Sequence, residues 1–401
     1  MINITKLYCG VDTPGDDLRY GRKKTRAGKS SGSSSFRPPV VVWNITKRCN
    51  LNCVHCYSDS ANKPYSGELS TGEAKKVLNN LADFKVPVIL FSGGEPLLRK
   101  DIFSLSGYAR SLGINCVLST NGTLIDEKMA VKIKQSGFYY AGISLDGMEK
   151  TNDAFRGKKG AFKKSAQAFK NCLKINQMAG LRLTLTGQNL QELHKVFDFI
   201  EEYNIPRACF YHLVPSGRCS QVFKDNASRA HTRSALDIIM QRTQDFIKRK
   251  IHKDILTVDN PSDGIYIYLK LKEKKSTRAK EVLDLLSRNG GGRNSSGVGI
   301  GCIDYKGDVH PDQFWQDYSL GSVKDKNFSD IWNDTSDPLL RGLKNRTPLI
   351  KGRCSSCKWL GICGGGLRAR AEKIYGDPWE SDPACCLTDE EILCQKYTLN
   401  R

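Results

Sequence analysis

The sequence predicts an α/β fold: six consecutive strand–helix units on parallel strands, followed by a small cysteine-rich C-terminal domain. Three observations lead there. Between Val40 and Leu213, short apolar runs alternate with stretches of helical period, which implies parallel strands joined by right-handed crossovers. Helix starts in this stretch carry capping residues. In the last hundred residues the chain becomes rich in Gly, Pro and Cys and loses periodicity, so bound metal is expected to hold that part together.

The elements follow in order. Residues 1–20 mix apolar and acidic positions and are expected to pack on the body. Residues 21–36, GRKKTRAGKSSGSSSF, read as a flexible basic linker. Gly28–Ser30 is no phosphate loop, because the upstream glycine and the preceding strand are both missing. Val40–Asn44 is the first strand. Ser70-x-x-Glu73 is a capping box that opens a helix to about Asp83. Val88–Phe91 is the second strand, and Ile102–Leu112 a helix with Asp101 as its N-cap. Cys116–Ser119, Tyr140–Leu145, Leu181–Thr186 and Ala208–Leu213 are strands three to six, with helices over 126–135, 161–178 and 190–203 between them. An incomplete (β/α)6 barrel of the TIM type fits this count, and so does an open doubly wound sheet; the pattern alone does not separate them. The boundaries read as an N-terminal extension and linker (1–39), the strand–helix core (40–225), a charged helical connector (226–290) and the cysteine-rich domain (291–401).

The 401 residues are enough for two or three domains and a sizeable core. An apolar content of 39% is ordinary for a globular chain, and no run of about 18 apolar residues exists to span a membrane. Met1–Gly10 lacks the apolar stretch of a signal peptide, so a cytoplasmic location is expected. The formal charge of +20 favours anionic partners, although lysines such as Lys163, Lys164, Lys170 and Lys174, on one helix, account for part of it as solvated surface. Fifteen cysteines without an export signal, several of them tightly clustered, favour metal or iron–sulfur ligation over disulfides. Cys116, Cys172 and Cys209 stand singly in apolar runs and read as buried, inert thiols.

Cys49-x3-Cys53-x2-Cys56 follows the first strand directly. Three thiolates on a short loop can hold three irons of a four-iron cluster and leave the fourth open. Zinc would want a fourth nearby ligand, and His55, beside Cys56, is badly placed to supply it. The triplet, followed by Tyr57, resembles the signature of the radical S-adenosylmethionine (SAM) superfamily. The resemblance implies a partial barrel and a [4Fe–4S] cluster on Cys49, Cys53 and Cys56. It further implies that the open iron binds the amino and carboxylate groups of SAM. One electron then cleaves SAM to methionine and a 5′-deoxyadenosyl radical that takes hydrogen from the substrate. An external donor of flavodoxin or ferredoxin type would supply the electron.

Further matches lie at strand ends. Ser92-Gly93-Gly94-Glu95-Pro96 is similar to the family's GGE motif, which holds the SAM amino group; glycines allow close backbone approach and a carboxylate suits an ammonium. Ser119-Thr120-Asn121-Gly122 and Ser144-Leu145-Asp146-Gly147 resemble the polar strand ends that contact ribose and carboxylate. Tyr57, Gly93, Gly94, Glu95, Ser119, Asn121, Ser144 and Asp146 are therefore the expected SAM-binding residues. This likeness covers Val40 to about Arg218.

Near the C-terminus, Cys354-x2-Cys357-x5-Cys363 and then Cys385 and Cys386 resemble the SPASM extension of radical SAM enzymes. The full SPASM pattern has seven cysteines for two auxiliary clusters. Here Asp312 and Leu367 stand where two of them belong. The resemblance thus implies one auxiliary [4Fe–4S] cluster on Cys354, Cys357, Cys363 and Cys385, with Cys302 and Cys386 outside it. A structural zinc is the alternative, since C-x2-C pairs are common in zinc sites.

Other segments narrow the family. KLYCG at Lys6–Gly10, PVVVWN at Pro39–Asn44, YHLVPSGR at Tyr211–Arg218, HPDQFW at His310–Trp315 and GDPW at Gly376–Trp379 look like the tetrapyrrole-modifying branch. The N-terminal segment resembles the enzymes that act on 12,18-didecarboxysiroheme. The implied reaction removes two acetate side chains to give Fe-coproporphyrin III in siroheme-dependent heme biosynthesis. Synthesis of d-type heme, decarboxylation of coproheme and peptide maturation are the alternatives. The implied substrate is an anionic iron tetrapyrrole, with His212, Arg218 and His310 as candidate contacts. Arg368 and Arg370 are further candidates, and Tyr211 and Trp315 are either stacking or core residues. A nucleic-acid-binding zinc protein would share the charge and the C-x2-C spacing but not the strand-end motifs, and no RNA-binding module is appended.

Overall fold

The computed structural model describes residues 1–21, 37–222 and 228–393. The linker read over 21–36 lies, but for Gly21, outside the described residues. The strands are β1 (Ile2–Asn3), β2 (Val40–Thr46), β3 (Val88–Gly93), β4 (Asn115–Thr120), β5 (Phe138–Ser144), β6 (Ala179–Leu185), β7 (Arg207–His212), β8 (Asp254–Val258), β9 (Ile300–Ile303), β10 (Asp308–His310) and β11 (Gly321–Ser322). Among the described residues they form one sheet in the order β1-β8-β7-β6-β5-β4-β3-β2-β9-β10-β11.

β2 to β8 run parallel, each beside the next. β9 extends the parallel run on the far side of β2. β1 is antiparallel to β8, and β10 and β11 close the other edge antiparallel. The sheet does not join its own ends, but it curves: Val42, Leu90, Ser119, Ser144, Thr184 and Tyr211, from six successive strands, line one cavity. A flat doubly wound sheet cannot bring six strands to one cavity, so the fold is the partial (β/α)6 barrel with a C-terminal Cys-rich extension. The catalytic face of such a barrel is where the strands end.

The core sits between strands and helices. Val41, Trp43, Ile45, Ile89 and Phe91 are buried, and Trp43 stacks on Phe91 with centroids 6.0 Å apart. The helix Thr71–Asp83 opens with the Ser70–Glu73 capping box and buries Val77, Leu78 and Leu81. Asp101 stands at the N-cap of the next helix, Ile102–Ser111, as expected, but its side chain makes no cap hydrogen bond. Its carboxylate is taken by Arg99 Nε at 2.7 Å and by the Thr71 hydroxyl at 2.7 Å.

Two regions differ from expectation. Residues 226–290 hold helices Arg229–Lys248, Ser262–Glu273 and Ala279–Asn289, but also β8. The run DILTV is too short, and too closely flanked by charged helices, to announce a strand by period alone. The C-terminal part supplies β9 to β11 and so continues the barrel sheet. Cys116, Cys172 and Cys209 are buried, and burial raises each thiol above its ordinary range. No helix among the described residues is long and apolar enough to cross a membrane.

Candidate active site

The cysteine triplet follows β2 on a loop stitched from three sides. From one side, Asn52 N–H and Val54 N–H donate to the carbonyls of Arg156 and Phe155 at 3.3 and 2.9 Å. From the second, the end of β3 docks on it: Gly94 N–H donates to Thr46 O at 2.7 Å and Glu95 N–H to Arg48 O at 2.8 Å. The third side is the turn after β7. A Cβ on Gly217 (φ +58°) would lie 2.5 Å from the carbonyl oxygens of Cys56 and Tyr57.

Arg218 completes that third side. Its Nε donates to Cys53 O at 2.9 Å, its Nη2 to Ser60 O at 2.9 Å, and its Nη1 pairs with Asp59 at 2.7 Å. Sequence position suggests a substrate clamp, but these three contacts occupy the guanidinium and make it a brace of the cluster loop. Arg218→Met is therefore expected to lower retention of triplet-bound iron on anaerobic gel filtration, read by iron content and by the reduced-cluster EPR signal. Wild-type iron retention would contradict the brace.

Cys49, Cys53 and Cys56 line a cavity of about 180 Å³ together with Gly93, Gly94 and Asn121. Burial pushes the Cys49 thiol up to about 12 and raises that of Cys53. Neither is a thiolate at neutral pH unless a metal takes the proton's place. Among the described residues no three His, Cys, Asp or Glu side chains converge on one point as a single ion requires. A four-iron cluster asks for no such convergence, since each thiolate sits on its own iron.

The SAM candidates divide into two sets. Tyr57, Gly93, Gly94, Ser119, Asn121 and Ser144 face the cavity. Glu95 and Asp146 stand behind it, both wholly buried. The Glu95 carboxylate accepts from Leu97 N–H (3.1 Å), the Thr120 hydroxyl (2.8 Å) and Asn121 N–H (2.8 Å). Burial outweighs these donors and raises its pKa to about 7. Glu95 thus fixes Asn121, whose Nδ2 donates to Asn50 Oδ1 at 2.9 Å and lies 3.9 Å from Cys49 Sγ. Asp146 accepts from Thr184 N–H at 2.8 Å and pairs with Arg156 and, at 3.2 Å, with His55. Burial pushes its carboxyl up, but Arg156 and His55 prevail and hold it at about 2. Nothing in the sequence marks Arg156; its Nη1 lies 3.7 Å from Cys53 Sγ.

A second, larger cavity of about 690 Å³ abuts the first and shares Tyr57, Ser58 and Gly93 with it. Lys47, Arg218, Lys306 and Lys373 lie in its wall, and so do Asp59, Asp304, Asp308 and Asp317. His310 also lines it, with Nδ1 2.7 Å from the Tyr318 carbonyl, a contact in which Nδ1 is the donor. His212 lines the smaller cavity and is tied to Asp263 at 2.7 Å. Arg368 and Arg370 are fully buried and bond backbone carbonyls and Asp382. Trp315 is core, packed among Val214, Phe314, Leu367 and Ala369.

In the C-terminal part, Cys354, Cys357, Cys363 and Cys385 are half-buried neighbours. Burial, reinforced by Cys385, Cys354 and Cys357, raises the Cys363 thiol well above its ordinary range. The glycine loop Gly290–Gly292 nests on this loop: a Cβ at Gly291 would meet Cys363 O at 2.6 Å. Cys386 is buried against the Ser262 hydroxyl at 3.3 Å, and Cys302 accepts from Asn44 Nδ2 at 3.6 Å. Asp312 is buried too, held by the Ser296 hydroxyl and, at 2.8 Å, by Phe314 N–H.

Burial raises the Asp312 carboxyl to about 6. Between the unfolded value of about 3.9 and that point, the folded chain keeps a proton the unfolded chain has released, so stability falls as pH rises through this window. Asp312→Asn can satisfy both partners without a proton. It is expected to flatten this slope and to add about 3 kcal/mol at pH 7, read from urea unfolding at pH 4, 6 and 7. An unchanged slope would refute the assignment.

Residues 43–200 match the radical SAM superfamily, and residues 299–358 match the SPASM iron–sulfur cluster-binding domain. Fe-coproporphyrin III synthase of Methanosarcina barkeri is 51% identical over 98% of this chain and 99% of its own length. Pre-heme d1 synthase of Dinoroseobacter shibae is 41% identical over 88% of this chain and 87% of its own. Among solved structures, anSMEcpe with bound AdoMet and the Cp18Cys peptide superposes with a TM-score of 0.66 at 19% identity, covering 87% of this chain and 94% of that one, a likeness of fold. The chain is a radical SAM enzyme of the SPASM-bearing family that holds Fe-coproporphyrin III synthase and pre-heme d1 synthase, and its cofactors are SAM, a radical SAM [4Fe–4S] cluster and an auxiliary cluster.

Proposed function

We propose that the enzyme removes two acetate side chains from 12,18-didecarboxysiroheme to give Fe-coproporphyrin III, in siroheme-dependent heme biosynthesis. The observation that carries this reading is the abutment of the two cavities. One is small and lined by the three thiols; the other, of about 690 Å³, is lined by four cations, four aspartates and a histidine, and Lys47 and Lys306 are the two of its cations in no ion pair among the described residues. A macrocycle suits a cavity of that size, and the two unpaired lysines suit its carboxylates. The 51% identity along the whole chain supports the same reading.

In this proposal Cys49, Cys53 and Cys56 hold the radical SAM cluster, and Cys354, Cys357, Cys363 and Cys385 hold the auxiliary one. When bound, the cluster and SAM supply one-electron cleavage of SAM and a deoxyadenosyl radical that abstracts hydrogen; a flavodoxin- or ferredoxin-type protein supplies the electron. The remaining work falls to side chains. Gly93 and Gly94 let the SAM amino group approach the backbone, while Ser119, Asn121 and Ser144 offer donors and acceptors to its ribose and carboxylate. Glu95 and Asp146 position these groups from behind. Tyr57 donates to Asn44 Oδ1 at 2.9 Å and so stands fixed in the shared wall. Lys47 and Lys306, which pair with no carboxylate among the described residues, are free to take substrate carboxylates. Lys373 must first leave Asp317.

Anaerobic turnover with SAM, a reductant and didecarboxysiroheme tests the reading. Loss of two acetate groups with matching deoxyadenosine is the expected result. Deoxyadenosine without any tetrapyrrole change would sink the substrate assignment. A product mass matching pre-heme d1 would move the enzyme to the d-type heme reaction, and formation of protoheme from separately supplied Fe-coproporphyrin III would move it to the coproheme reaction.

A further inference from the structure

Of the two arginines in the wall of the cluster cavity, Arg182 is the one that forms no ion pair among the described residues. It lies in the middle of β6, within LRLTL, where a parallel strand is otherwise apolar. A guanidinium in the interior of a barrel is costly unless it is paired. The other arginine there, Arg156, has Asp146. Among the described residues the Arg182 side chain makes no ion pair and no hydrogen bond, yet it lines the same cavity as the three cluster thiols; Asp259, in the same wall, feels its charge without pairing with it and interacts more strongly with Arg370 and His212.

The surroundings are built to keep it there. Its stem crosses β5 at Gly142, where a Cβ would lie 2.6 Å from Arg182 Cδ. Gly142 has an ordinary φ, so close passage of the arginine, not backbone strain, accounts for glycine at that position. Arg182 is paired in register with Ser144 on one side and Cys209 on the other. The guanidinium lies over the Tyr211 ring, Cζ 4.7 Å from the centroid. That cation–π contact uses none of its N–H donors, which stay available to a further partner. Tyr57, in the wall shared with the larger cavity, is among the groups near enough to interact with its charge. An anion that reaches from the larger cavity toward the cluster would supply the direct contact that Asp259 does not make, and a planar fork of donors suits a carboxylate.

We propose that Arg182 anchors the carboxylate of a substrate acetate side chain, holding it against the SAM site while the rest of the macrocycle stays in the larger cavity. The inference rests on the tetrapyrrole reading above and assigns to it the residue that selects which side chain is presented. Arg156, beside Cys53, is the arginine nearer the cluster, and so it is left to SAM.

The test compares two ligands and two variants. Didecarboxysiroheme carries the acetates and Fe-coproporphyrin III lacks them. Binding of each to the reconstituted enzyme is followed by the Soret band, and SAM affinity is measured separately. Arg182→Gln is expected to weaken didecarboxysiroheme by about thirtyfold or more, the lower end for breaking a buried charge pair. Fe-coproporphyrin III should change less than about threefold, and SAM affinity and iron content should stay at wild-type values. Arg182→Lys, which keeps the charge but not the fork, should fall between. Equal weakening of both tetrapyrroles would overturn the acetate assignment, as would a loss confined to SAM or wild-type binding in Arg182→Gln. If neither tetrapyrrole binds the wild type, the substrate reading itself fails, which is a separate result from the failure of Arg182.

Discussion

Arg156→Met is expected to cost about 3–5 kcal/mol of stability, because it leaves a buried carboxylate unpaired. Asp146 is wholly buried, and Arg156 is 8% exposed. With the guanidinium gone, Asp146 keeps only His55 at 3.2 Å and Thr184 N–H at 2.8 Å. Asp146→Asn added to the same chain removes the orphaned charge, so the double variant should recover most of the loss. The acid limb gives an independent check. The Asp146 carboxyl is held at about 2, below an unfolded value of about 3.9. Its contribution is therefore complete above about pH 4 and is lost as pH falls toward 2; the double variant should lack that part of the acid transition. A second effect does not recover. Arg156 Nη1 lies 3.7 Å from Cys53 Sγ, and removing an N–H donor from a cluster sulfur makes the cluster harder to reduce. Both variants should show a more negative midpoint potential. Equal stabilities for single and double variants would show that the pair does not hold this end of the barrel.

What the sequence reveals of this molecule depends on whether the signal is local. β2 to β7 are legible because buried parallel strands read as apolar runs and their helices carry caps such as Ser70 and Asp126. β8 is five residues between charged helices, and β9 to β11 are shorter still, below the length at which period separates strand from turn. In the site, the cysteine triplet and the SGGEP turn are legible because their chemistry is contained in adjacent residues. The roles of the charged residues are not, because the partners are distant in sequence. Arg218 looks like a clamp at a strand end until Cys53 O and Ser60 O, more than 150 residues away, turn out to fill it. His212 looks free until the fold brings Asp263 to it. Arg182 is the intermediate case. A charged residue inside an apolar strand is a visible anomaly, but its lack of a partner becomes apparent only when the walls of the cavity are assembled.

The same distinction between local motif and assembled site governs Gly94, the second glycine of SGGEP. Sequence reasoning gives it to close approach by SAM. The structure adds a closer neighbour: a Cβ there would lie 2.2 Å from Arg48 O, 2.5 Å from Arg48 C and 2.8 Å from Lys47 O. These are backbone atoms, and Arg48 immediately precedes the first cluster cysteine, so no side-chain rotation relieves the clash. Either the end of β3 or the cysteine loop must retreat by about 1 Å, and the bonds Gly94 N–H to Thr46 O and Glu95 N–H to Arg48 O go with it. Gly94→Ala is thus expected to cost about 3 kcal/mol, at the upper end for overpacking, and to reduce bound iron toward the auxiliary cluster alone. SAM affinity should fall with it. Gly72→Ala is the control. Gly72 lies in the helix Thr71–Asp83 at an ordinary φ with no atom within 4 Å of its added Cβ, so alanine there should stabilise by up to about 1 kcal/mol. Urea midpoints, iron content and SAM titration of the two alanine variants separate the alternatives. If Gly94→Ala matches Gly72→Ala in all three, the glycine serves only local turn geometry and the docking of β3 on the cysteine loop is not what holds the cluster in register.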